Sequence, residues 1–392
     1  MTPYESALTR AVHDVHVPAA PQIGGGAKVV LYTSADCWRG AGVSYVAIAR
    51  GLEAHGFQPV VASTCDEVTH EFLSAGLTVI PLPRGRGEAM RLRTLLARSQ
   101  ADAVLVDRAH DLRVGALAVA GTRRPLLFRY NHFAAAPPSD LLVRVAYRGL
   151  LSSVVFLSSV ARERVLRDTP FMRRVPPTTI HEGVDADTFH PCARAATEFR
   201  RTYSLGAEPF LLAVGALSPE KQYRVMFDAL HLCRDSVPQL LLFGEGRLEP
   251  ELRARAEALG LRVRFAGRVS QRTLVGAYNA STALLHTGAV ETFGLSILEA
   301  MACGRPVIAS SGGAIPEVIG TDGSCGILTA PYSAWDTGGA VRGLLSNPAR
   351  ALRIGMRARE RARHQFSLTA MERAYAQLVA RHTGFRLAGP QA

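Results

Sequence analysis

Short apolar runs alternate with longer amphipathic segments along almost the whole chain. The runs are bounded by glycine, proline or polar residues and lie at 28–34, 58–63, 77–82, 103–107, 125–132, 151–157, 210–215, 240–243, 262–265, 283–286 and 307–309. Runs that are apolar on both alternating faces are typical of parallel strands covered by helices on both sides. The intervening segments, such as 43–55, 88–98 and 160–167, have helical periodicity. The pattern therefore predicts an α/β fold built from repeated βαβ units.

The length and composition fit two domains of ordinary size. The chain has 392 residues, of which 48% are hydrophobic and 20% are charged, which allows two substantial cores. We expect an N-terminal arm at 1–26, a first domain at 27–190 and a second domain at 199–365. No apolar run approaches the ~20 residues that span a bilayer, and residues 1–16 lack the apolar stretch of a signal peptide. We therefore expect a cytoplasmic protein.

The segment from Glu291 to Glu299 sets two carboxylates on either side of a glycine. Gly294 breaks the apolar pattern, and the residues after it predict a helix that ends near Gly304. A helix that begins at a glycine turn exposes unpaired N–H groups and the positive end of its dipole, which suits an anion such as a diphosphate. Carboxylates repel phosphate, so these two are better suited to accept hydrogen bonds from hydroxyl groups. The alternative is that both are solvated acids that stabilise the helix start.

The longer run from Glu291 to Glu317, ETFGLSILEAMACGRPVIASSGGAIPE, closely resembles the signature of the retaining glycosyltransferases of family 4, which have two glutamates in an E-x7-E arrangement. The resemblance extends upstream to GALSPEK at 215–221, LLLFGEG at 240–246 and FAGRV at 265–269. It covers the C-terminal half closely and the N-terminal half more loosely. It implies the GT-B architecture, with two doubly wound, Rossmann-like domains facing each other across a cleft. It also implies that the last helix, near 368–382, crosses back to the first domain.

The resemblance assigns the second domain to a nucleotide-sugar donor. It implies that Glu291 holds the hexose hydroxyls, Glu299 the ribose hydroxyls and Lys221 the diphosphate. The other donor-binding residues that it implies are Gly42 in the first domain and Gly215, Arg268, Val269, Phe293, Gly294, Leu295 and Ser296 in the second. The expected catalytic residues are Glu291, Lys221 and His132. Lys221 is notable because the only other lysine is Lys28, in a chain that otherwise uses arginine for its basic residues.

Histidines follow two of the predicted first-domain strands. His110 comes after the run at 103–107, and His132 ends the run at 125–132. Ligands of open parallel sheets bind beyond the carboxyl ends of the strands, so both have a suitable position, although a lone histidine is more often structural. The resemblance favours His132 as the acceptor-cleft histidine, but Asn131 is inserted relative to the usual spacing, so either residue fits that place. The expected acceptor cleft thus contains His110, Asn131 and His132.

One departure from the family bears on donor binding. Related sequences carry arginine after the glycine of the strand at 210–215, where this chain has Ala216. Loss of a bidentate phosphate partner weakens binding by about 1.5 to 3 kcal/mol unless another group replaces it. Arg224, Arg247 and Arg268 are the candidates.

We expect no metal and no cofactor. Asp185 and Asp187 form the Asp-x-Asp pattern that binds metal in other glycosyltransferases, but they lie on the predicted connection between the domains, where a structural role is favoured. The six cysteines include no CxxC pair and none spaced as a zinc site requires.

The net charge of +12 comes almost entirely from arginine. Such a balance is compatible with a nucleotide diphosphate, a phospholipid surface or nucleic acid. The predicted helix at 88–98 carries Arg91, Arg93 and Arg98, which form either a solvated face or a contact with an anionic membrane or acceptor. An aromatic content of 7% without stacked arginine–aromatic segments argues against nucleic acid.

These features predict a metal-independent, retaining glycosyltransferase that uses a nucleotide diphospho-sugar, with UDP favoured over GDP or ADP. The transferred group would be a hexose or N-acetylhexosamine. The acceptor would be a hydroxyl group of a small molecule, such as a polyol or aminocyclitol in an antibiotic or other secondary-metabolite pathway, and an anionic lipid is the alternative. The alternative functions are a nucleotide-sugar epimerase or hydrolase of the same fold and a catalytically silent sugar-nucleotide-binding subunit, which Ala216 favours.

Overall fold

A seven-stranded parallel sheet forms the centre of the first domain in the computed structural model, which describes residues 26–131, 139–233 and 239–387. Its strands are β1 (Lys28–Thr33), β2 (Gln58–Ser63), β3 (Val79–Pro81), β4 (Ala103–Val106), β5 (Leu126–Tyr130), β6 (Leu151–Phe156) and β7 (Pro177–Thr179), in the order β3-β2-β1-β4-β5-β6-β7. Val30 and Leu31 are both buried, each in the core on a different face of the sheet. This two-sided burial explains why the strands are apolar at successive positions.

Helices cover both faces of this sheet. They are α1 (Gly40–Ala54), α2 (Asp66–Ser74), α3 (Glu88–Arg98), α4 (Ala109–Val119), α5 (Leu141–Gly149) and α6 (Ser159–Asp168). Local capping fixes some of their starts, since the side chains of Asp140 and Ser158 accept hydrogen bonds from the first turns of α5 and α6.

The second domain repeats the arrangement with a six-stranded parallel sheet. Its strands are β8 (Phe210–Val214), β9 (Gln239–Phe243), β10 (Val263–Phe265), β11 (Ala283–His286), β12 (Val307–Ser310) and β13 (Ile327–Thr329), in the order β10-β9-β8-β11-β12-β13. Its helices are α7 (Ala193–Thr202), α8 (Tyr223–Leu232), α9 (Glu249–Ala258), α10 (Gln271–Ala280), α11 (Leu295–Ala302), α12 (Ile315–Ile319), α13 (Ala334–Leu345) and α14 (Pro348–Gln365).

The strand orders confirm the predicted α/β class with two doubly wound domains. In each sheet the order reverses at one point, between β1 and β4 in the first and between β8 and β11 in the second. Such reversal points leave a crevice at the carboxyl ends of the strands, where open α/β sheets bind their ligands. The predicted run at 77–82 is shorter as a strand, because β3 ends at Pro81, which has no N–H to donate.

A final helix, α15 (Leu368–Thr383), returns to the first domain. Its buried residues Met371 and Tyr375 pack in the same core as Leu31 of β1. The two chain crossings between the domains also contact each other, since Val184 and Ser367 form a parallel bridge. The linkers are therefore held side by side.

Two sequence predictions concern residues that lie mostly or wholly outside the described ranges. The predicted arm at 1–26 lies outside the described residues except for Gly26, and His132 also lies outside them. Within the described ranges, no helix combines the length and apolar character needed to cross a bilayer.

The mouth of the cleft is bridged by polar contacts. The guanidinium of Arg268 in the second domain pairs with Glu67 at 3.4 Å and with Glu71 at 2.5 Å, both on α2 of the first domain. The Thr292 hydroxyl donates to the carbonyl oxygen of Asn131, at 3.0 Å, across the same cleft. These contacts bring the carboxyl edges of the two sheets together.

Glu317 links the domains at the hinge side. Its carboxylate accepts hydrogen bonds from the Ser159 and Val160 amides at the start of α6, at 3.0 and 3.2 Å, and contacts His181 Nε2 at 2.7 Å. Burial favours the neutral acid, but these three groups outweigh burial and lower the pKa of Glu317 to about 2. A side chain of the second domain thus caps a helix of the first.

We expect Glu317→Gln to lower the thermal unfolding temperature at pH 7, because the charge at the α6 start is lost. Since the folded-state pKa is lowered from 4.5 to about 2, the charged form contributes up to roughly 3 kcal/mol. That contribution is present above pH 4.5 and disappears as the pH falls towards 2. Differential scanning calorimetry at pH 7, 4 and 3 measures the difference, with the exposed Glu360→Gln as the control. A pH-independent difference would contradict this assignment.

Candidate active site

The candidate site lies at the reversal point of the second sheet. β8 and β11 are neighbours there, and the loops that follow them carry Lys221 and Glu291. Lys221 ends a short 3-10 helix, Pro219–Lys221, immediately before α8. Although these two residues are far apart in sequence, the adjacent strand ends bring their side chains into contact.

Lys221 and Glu291 form a largely buried ion pair. The Nζ–Oε2 distance is 2.5 Å, and the side chains are 20% and 15% exposed. His286 Nε2 lies 3.1 Å from the same Oε2. Burial raises the pKa of Glu291, but the Lys221 ammonium and His286 outweigh it and hold the pKa well below its ordinary value. Glu291 is therefore an anion in a partly dehydrated site, and His286 must donate from Nε2.

The helix after this pair begins at a residue that only glycine fills without strain. Gly294 has φ of 99°, in the left-handed region, and an added Cβ would lie 3.1 Å from Ile297 Cδ1. Intrahelical hydrogen bonds start with the amides of Ile297 and Leu298, which donate to the Gly294 carbonyl. The amides of Leu295 and Ser296 precede them and form the positive end of α11.

Glu299 is on the same helix but in a different environment. Its Oε2 accepts a hydrogen bond from the Tyr278 hydroxyl at 2.7 Å. Burial raises the pKa of Glu299 to about 7, against the opposite effect of that hydrogen bond. The two glutamates of the motif therefore differ: Glu291 is held charged by a lysine, whereas burial shifts Glu299 towards its neutral form.

The structure distinguishes the remaining predicted donor residues by what their side chains contact. Gly215 lies against Lys221, with 3.4 Å from an added Cβ to Lys221 Cε. Arg268 is paired with α2, and Val269 packs on the second-domain core. Phe293 is 2% exposed and packs against His181 and Phe366. The Phe293 side chain is thus committed to the interior, which leaves its backbone for any ligand contact.

The predicted donor-binding glycine of the first domain, Gly42, and its neighbour Gly40 have different surroundings. Gly42 lies against the ring of Trp38, and a Cβ added at Gly42 would be 2.7 Å from the nearest ring atoms. Gly40, at the start of α1, is the residue that approaches Leu295, whose Cδ1 lies 3.3 Å from the corresponding Cβ position. Sequence spacing alone could not tell which of these two glycines meets α11.

On the acceptor side, the structure describes two of the three predicted residues. Asn131 follows β5, and its Nδ2 donates to Asp107 Oδ2 at 3.1 Å. His110 is in the first turn of α4, and its Nε2 lies 3.1 Å from Glu88 Oε1. Both residues lie at the carboxyl edge of the first sheet.

Sequence reasoning missed three groups that contact the site. His286 ends β11, so the rule that drew attention to His110 and His132 also applied to it. Tyr278, which orients Glu299, carried no signal because it reads as an apolar helix position. Arg39 of the first domain lies 4.0 Å from Glu220, the neighbour of Lys221, and its loop position gave no indication of this reach.

The three arginines considered in place of the one missing at Ala216 are not equivalent. Arg224 pairs with Glu251 at 2.7 Å, and Arg268 pairs across the cleft. Arg247 is exposed in the loop after β9. Arg247 is therefore the one of the three that makes no ion pair with another described residue.

Asp185 has a structural role in the connection between the domains. Its carboxylate accepts hydrogen bonds from the Asp187 and Thr188 amides, at 2.9 and 3.2 Å, and from the Thr188 hydroxyl at 2.6 Å. These contacts close a turn of the type that aspartate commonly stabilises. The Asp185 side chain thus stabilises the connection between the domains.

The predicted solvated face of α3 is partly used for packing. The Arg91 guanidinium donates to the Pro83 and Arg86 carbonyls, and Arg93 donates to the Ala120 carbonyl at 2.9 Å. These two side chains therefore fasten neighbouring loops of their own domain.

We expect Glu299→Gln to stabilise the protein at pH 8 more than at pH 5. The folded-state pKa is raised from 4.5 to about 7, so the acid favours folding below pH 4.5 and this advantage is lost as the pH rises through 7. Above pH 7 ionisation of the buried acid costs up to roughly 3 kcal/mol, which glutamine avoids. Thermal unfolding at both pH values measures the effect, with the exposed Glu257→Gln as the control. An equal change at the two pH values would show that Glu299 is not responsible.

Comparison with known families identifies the second domain. Residues 196–361 match the family described as "Glycosyl transferases group 1". This span contains Lys221, Glu291 and Glu299.

Curated relatives match over about half to two thirds of this chain. The "GDP-mannose-dependent alpha-(1-6)-phosphatidylinositol dimannoside mannosyltransferase" of Mycobacterium tuberculosis is 35% identical over 205 residues, which cover 52% of this chain and 51% of the relative. The corresponding monomannoside mannosyltransferase is 29% identical over 290 residues, which cover 69% of this chain and 74% of the relative. The chain thus spans about half the length of the first relative and three quarters of the second.

Solved structures resemble both domains together. Anabaena HepE, solved in complex with UDP and glucose, has a TM-score of 0.80 at 21% identity and covers 90% of this chain and 99% of its own. A glycosyltransferase from Rickettsia africae has a TM-score of 0.80 at 17% identity and covers 92% of this chain and 99% of its own. The second domain thus matches the glycosyl transferases group 1 over residues 196–361, and the two Rossmann-like domains together have the GT-B fold, as the resemblance to family 4 implied.

Proposed function

We propose that the protein is a retaining glycosyltransferase that moves a hexose or N-acetylhexosamine from a nucleotide diphospho-sugar to a hydroxyl group of a small acceptor. The observation that carries the proposal is the buried Lys221–Glu291 ion pair beside the start of α11, at the reversal point of the second sheet. The pair joins a cation suited to phosphate and a carboxylate suited to sugar hydroxyls.

The electrostatics of the pair suit a donor that carries both charge and hydroxyl groups. A diphosphate next to an unpaired Glu291 would be repelled, whereas Lys221 neutralises that carboxylate. When the donor binds, the Lys221 ammonium can turn to the diphosphate while Glu291 accepts hydrogen bonds from the sugar. His286 remains on Glu291 and keeps the carboxylate oriented.

Glycosyl transfer builds positive charge on the sugar and negative charge on the departing diphosphate. In our proposal, Lys221 and the Leu295 and Ser296 amides stabilise the departing diphosphate without a metal ion. The contacts across the cleft mouth favour a closed state, in which exclusion of water promotes transfer over hydrolysis.

Two donor nucleotides compete in this proposal. We propose a UDP-sugar first, which the UDP complex of the structural relative HepE supports. GDP-mannose is the alternative, since it is named as the donor of the mycobacterial relatives. Those relatives act on phosphatidylinositol mannosides by name, which supports a lipid-linked polyol as the second candidate for the acceptor, beside a small molecule of a secondary-metabolite pathway.

We expect one of UDP-glucose, UDP-N-acetylglucosamine, GDP-mannose and ADP-glucose to raise the unfolding temperature and to be turned over.

Lys221→Met and Glu291→Gln should each lower turnover by about a hundredfold or more, because each removes charge stabilisation at the reacting groups. Lys28→Met, at the only other lysine, is the matched control and should retain activity.

The outcomes separate the proposed function from its alternatives. Full turnover in both Lys221→Met and Glu291→Gln would refute the assignment of the site. An altered sugar epimer in the NMR spectrum would favour an epimerase. Tight donor binding without release of sugar or product would favour a silent binding subunit. The anomeric configuration of the product, read from proton couplings, tests retention.

A further inference from the structure

A second polar site occupies the reversal point of the first sheet. β1 and β4 are neighbours there, and Tyr32 near the end of β1 pairs in register with Val106 at the end of β4. His110 follows β4 in the first turn of α4. β4 lies beside β1 as β11 lies beside β8 in the second sheet. His110 therefore corresponds in position to the residues that follow β11. Crevices of this kind are where open parallel sheets bind ligands.

His110 is held by a carboxylate that is itself fixed. Glu88, the first residue of α3, is buried. Its Oε1 accepts a hydrogen bond from the Tyr32 hydroxyl and lies 3.1 Å from His110 Nε2. Its Oε2 accepts from the Gly85 amide at 3.1 Å. The Tyr32 ring is fully buried. The result is a chain of contacts from the interior to the surface: Tyr32, Glu88, His110.

The direction of these hydrogen bonds fixes the tautomer of the imidazole. Burial favours the neutral acid, but the Tyr32 hydroxyl, the Gly85 amide and His110 outweigh it and lower the pKa of Glu88. An ionised carboxylate only accepts hydrogen bonds, so His110 donates from Nε2. In the neutral ring Nδ1 is then a hydrogen-bond acceptor, and among the described residues nothing donates to it.

The exposure of the pair separates it from an ordinary structural contact. The His110 side chain is 40% exposed, whereas Glu88 is 5% exposed. Glu88 already has two donors without His110, so the histidine is not needed to satisfy a buried charge. A carboxylate that orients an exposed imidazole is instead the arrangement that presents one ring nitrogen to a ligand.

We propose that His110 Nδ1 accepts a hydrogen bond from a hydroxyl group of a polyol or sugar acceptor, and that Glu88 and Tyr32 are the residues that position it. This inference rests on the proposed function, since it assigns the acceptor side of the same reaction. The donor residues Lys221 and Glu291 are on the second domain, so His110 should affect the acceptor without affecting the donor. The Thr292–Asn131 contact shows that the two edges meet in the closed cleft.

The test compares transfer with hydrolysis of the same donor in the full chain. The donor is the sugar nucleotide that gives the largest thermal shift, and the acceptors are glycerol, myo-inositol and methyl α-D-glucopyranoside. For His110→Ala we expect hydrolysis within twofold of wild type, but an apparent KM for the acceptor at least tenfold higher or transfer at least tenfold lower. His110→Asn, whose amide oxygen can replace Nδ1, should recover part of the transfer.

The positioning residues give a second, independent measurement. Tyr32→Phe removes only the hydroxyl that holds Glu88, so we expect a smaller rise of about threefold in the acceptor KM with unchanged hydrolysis. His70→Gln, at an exposed position on α2, is the matched control and should leave both reactions unchanged. Thermal unfolding of each variant confirms that it is folded.

Each result has a defined meaning. Parallel loss of hydrolysis and transfer in His110→Ala, or no loss of transfer, would overturn the role of His110. Wild-type hydrolysis without transfer to any of the three acceptors would overturn the polyol class. Absence of both hydrolysis and transfer with every donor in the wild-type protein would instead contradict the proposed function itself.

Discussion

The Lys221–Glu291 ion pair is the interaction on which the second-domain site depends. It ties the loop after β8 to the loop after β11, and so fixes the two walls of the crevice at the reversal point of the sheet. Since both charges are largely withdrawn from water, loss of Glu291 would leave the Lys221 ammonium without its partner, and loss of Lys221 would leave the buried Glu291 carboxylate with only His286, which is costly. The same property favours the binding of a ligand that carries both an anion and hydroxyl groups. The anion can replace Glu291 as the partner of Lys221, and the hydroxyl groups can replace Lys221 as the partners of Glu291.

The two domains are joined by contacts of different kinds at the two sides of the cleft. At the hinge, His181 packs against Phe293 and Phe366 and also contacts Glu317. At the mouth, the contacts are ion pairs of partly exposed side chains such as Arg268 with Glu71. Exposed ion pairs contribute little to stability, whereas the aromatic packing at the hinge is largely dehydrated. This distribution suits a cleft that opens at the mouth while the hinge stays intact.

Much of the fold was predictable from local pattern. Runs such as 58–63 and 283–286 became β2 and β11 with the same bounds, because parallel strands covered on both faces need apolar residues at every position. The turn at Gly294 was predictable for a similar reason, since a helix start in the left-handed region favours glycine. At β3, a short edge strand that ends at a proline, the observed bounds differ from the predicted run by two residues at the start and one at the end.

The sequence by itself determined the elements, the two-domain organisation suggested by length, and the residue types at the ends of the strands. Only the tertiary structure decided which polar groups meet: Lys221 with Glu291 and His286, Tyr278 with Glu299, and Glu88 with His110. It also decided that Gly40 lies against Leu295 of the second domain. The physical reason is that such contacts depend on strand order and on the relative position of two domains, which bring together residues far apart in the chain. Hydrophobic periodicity reports only which face of an element is buried, and it carries no information about the partner of a polar side chain.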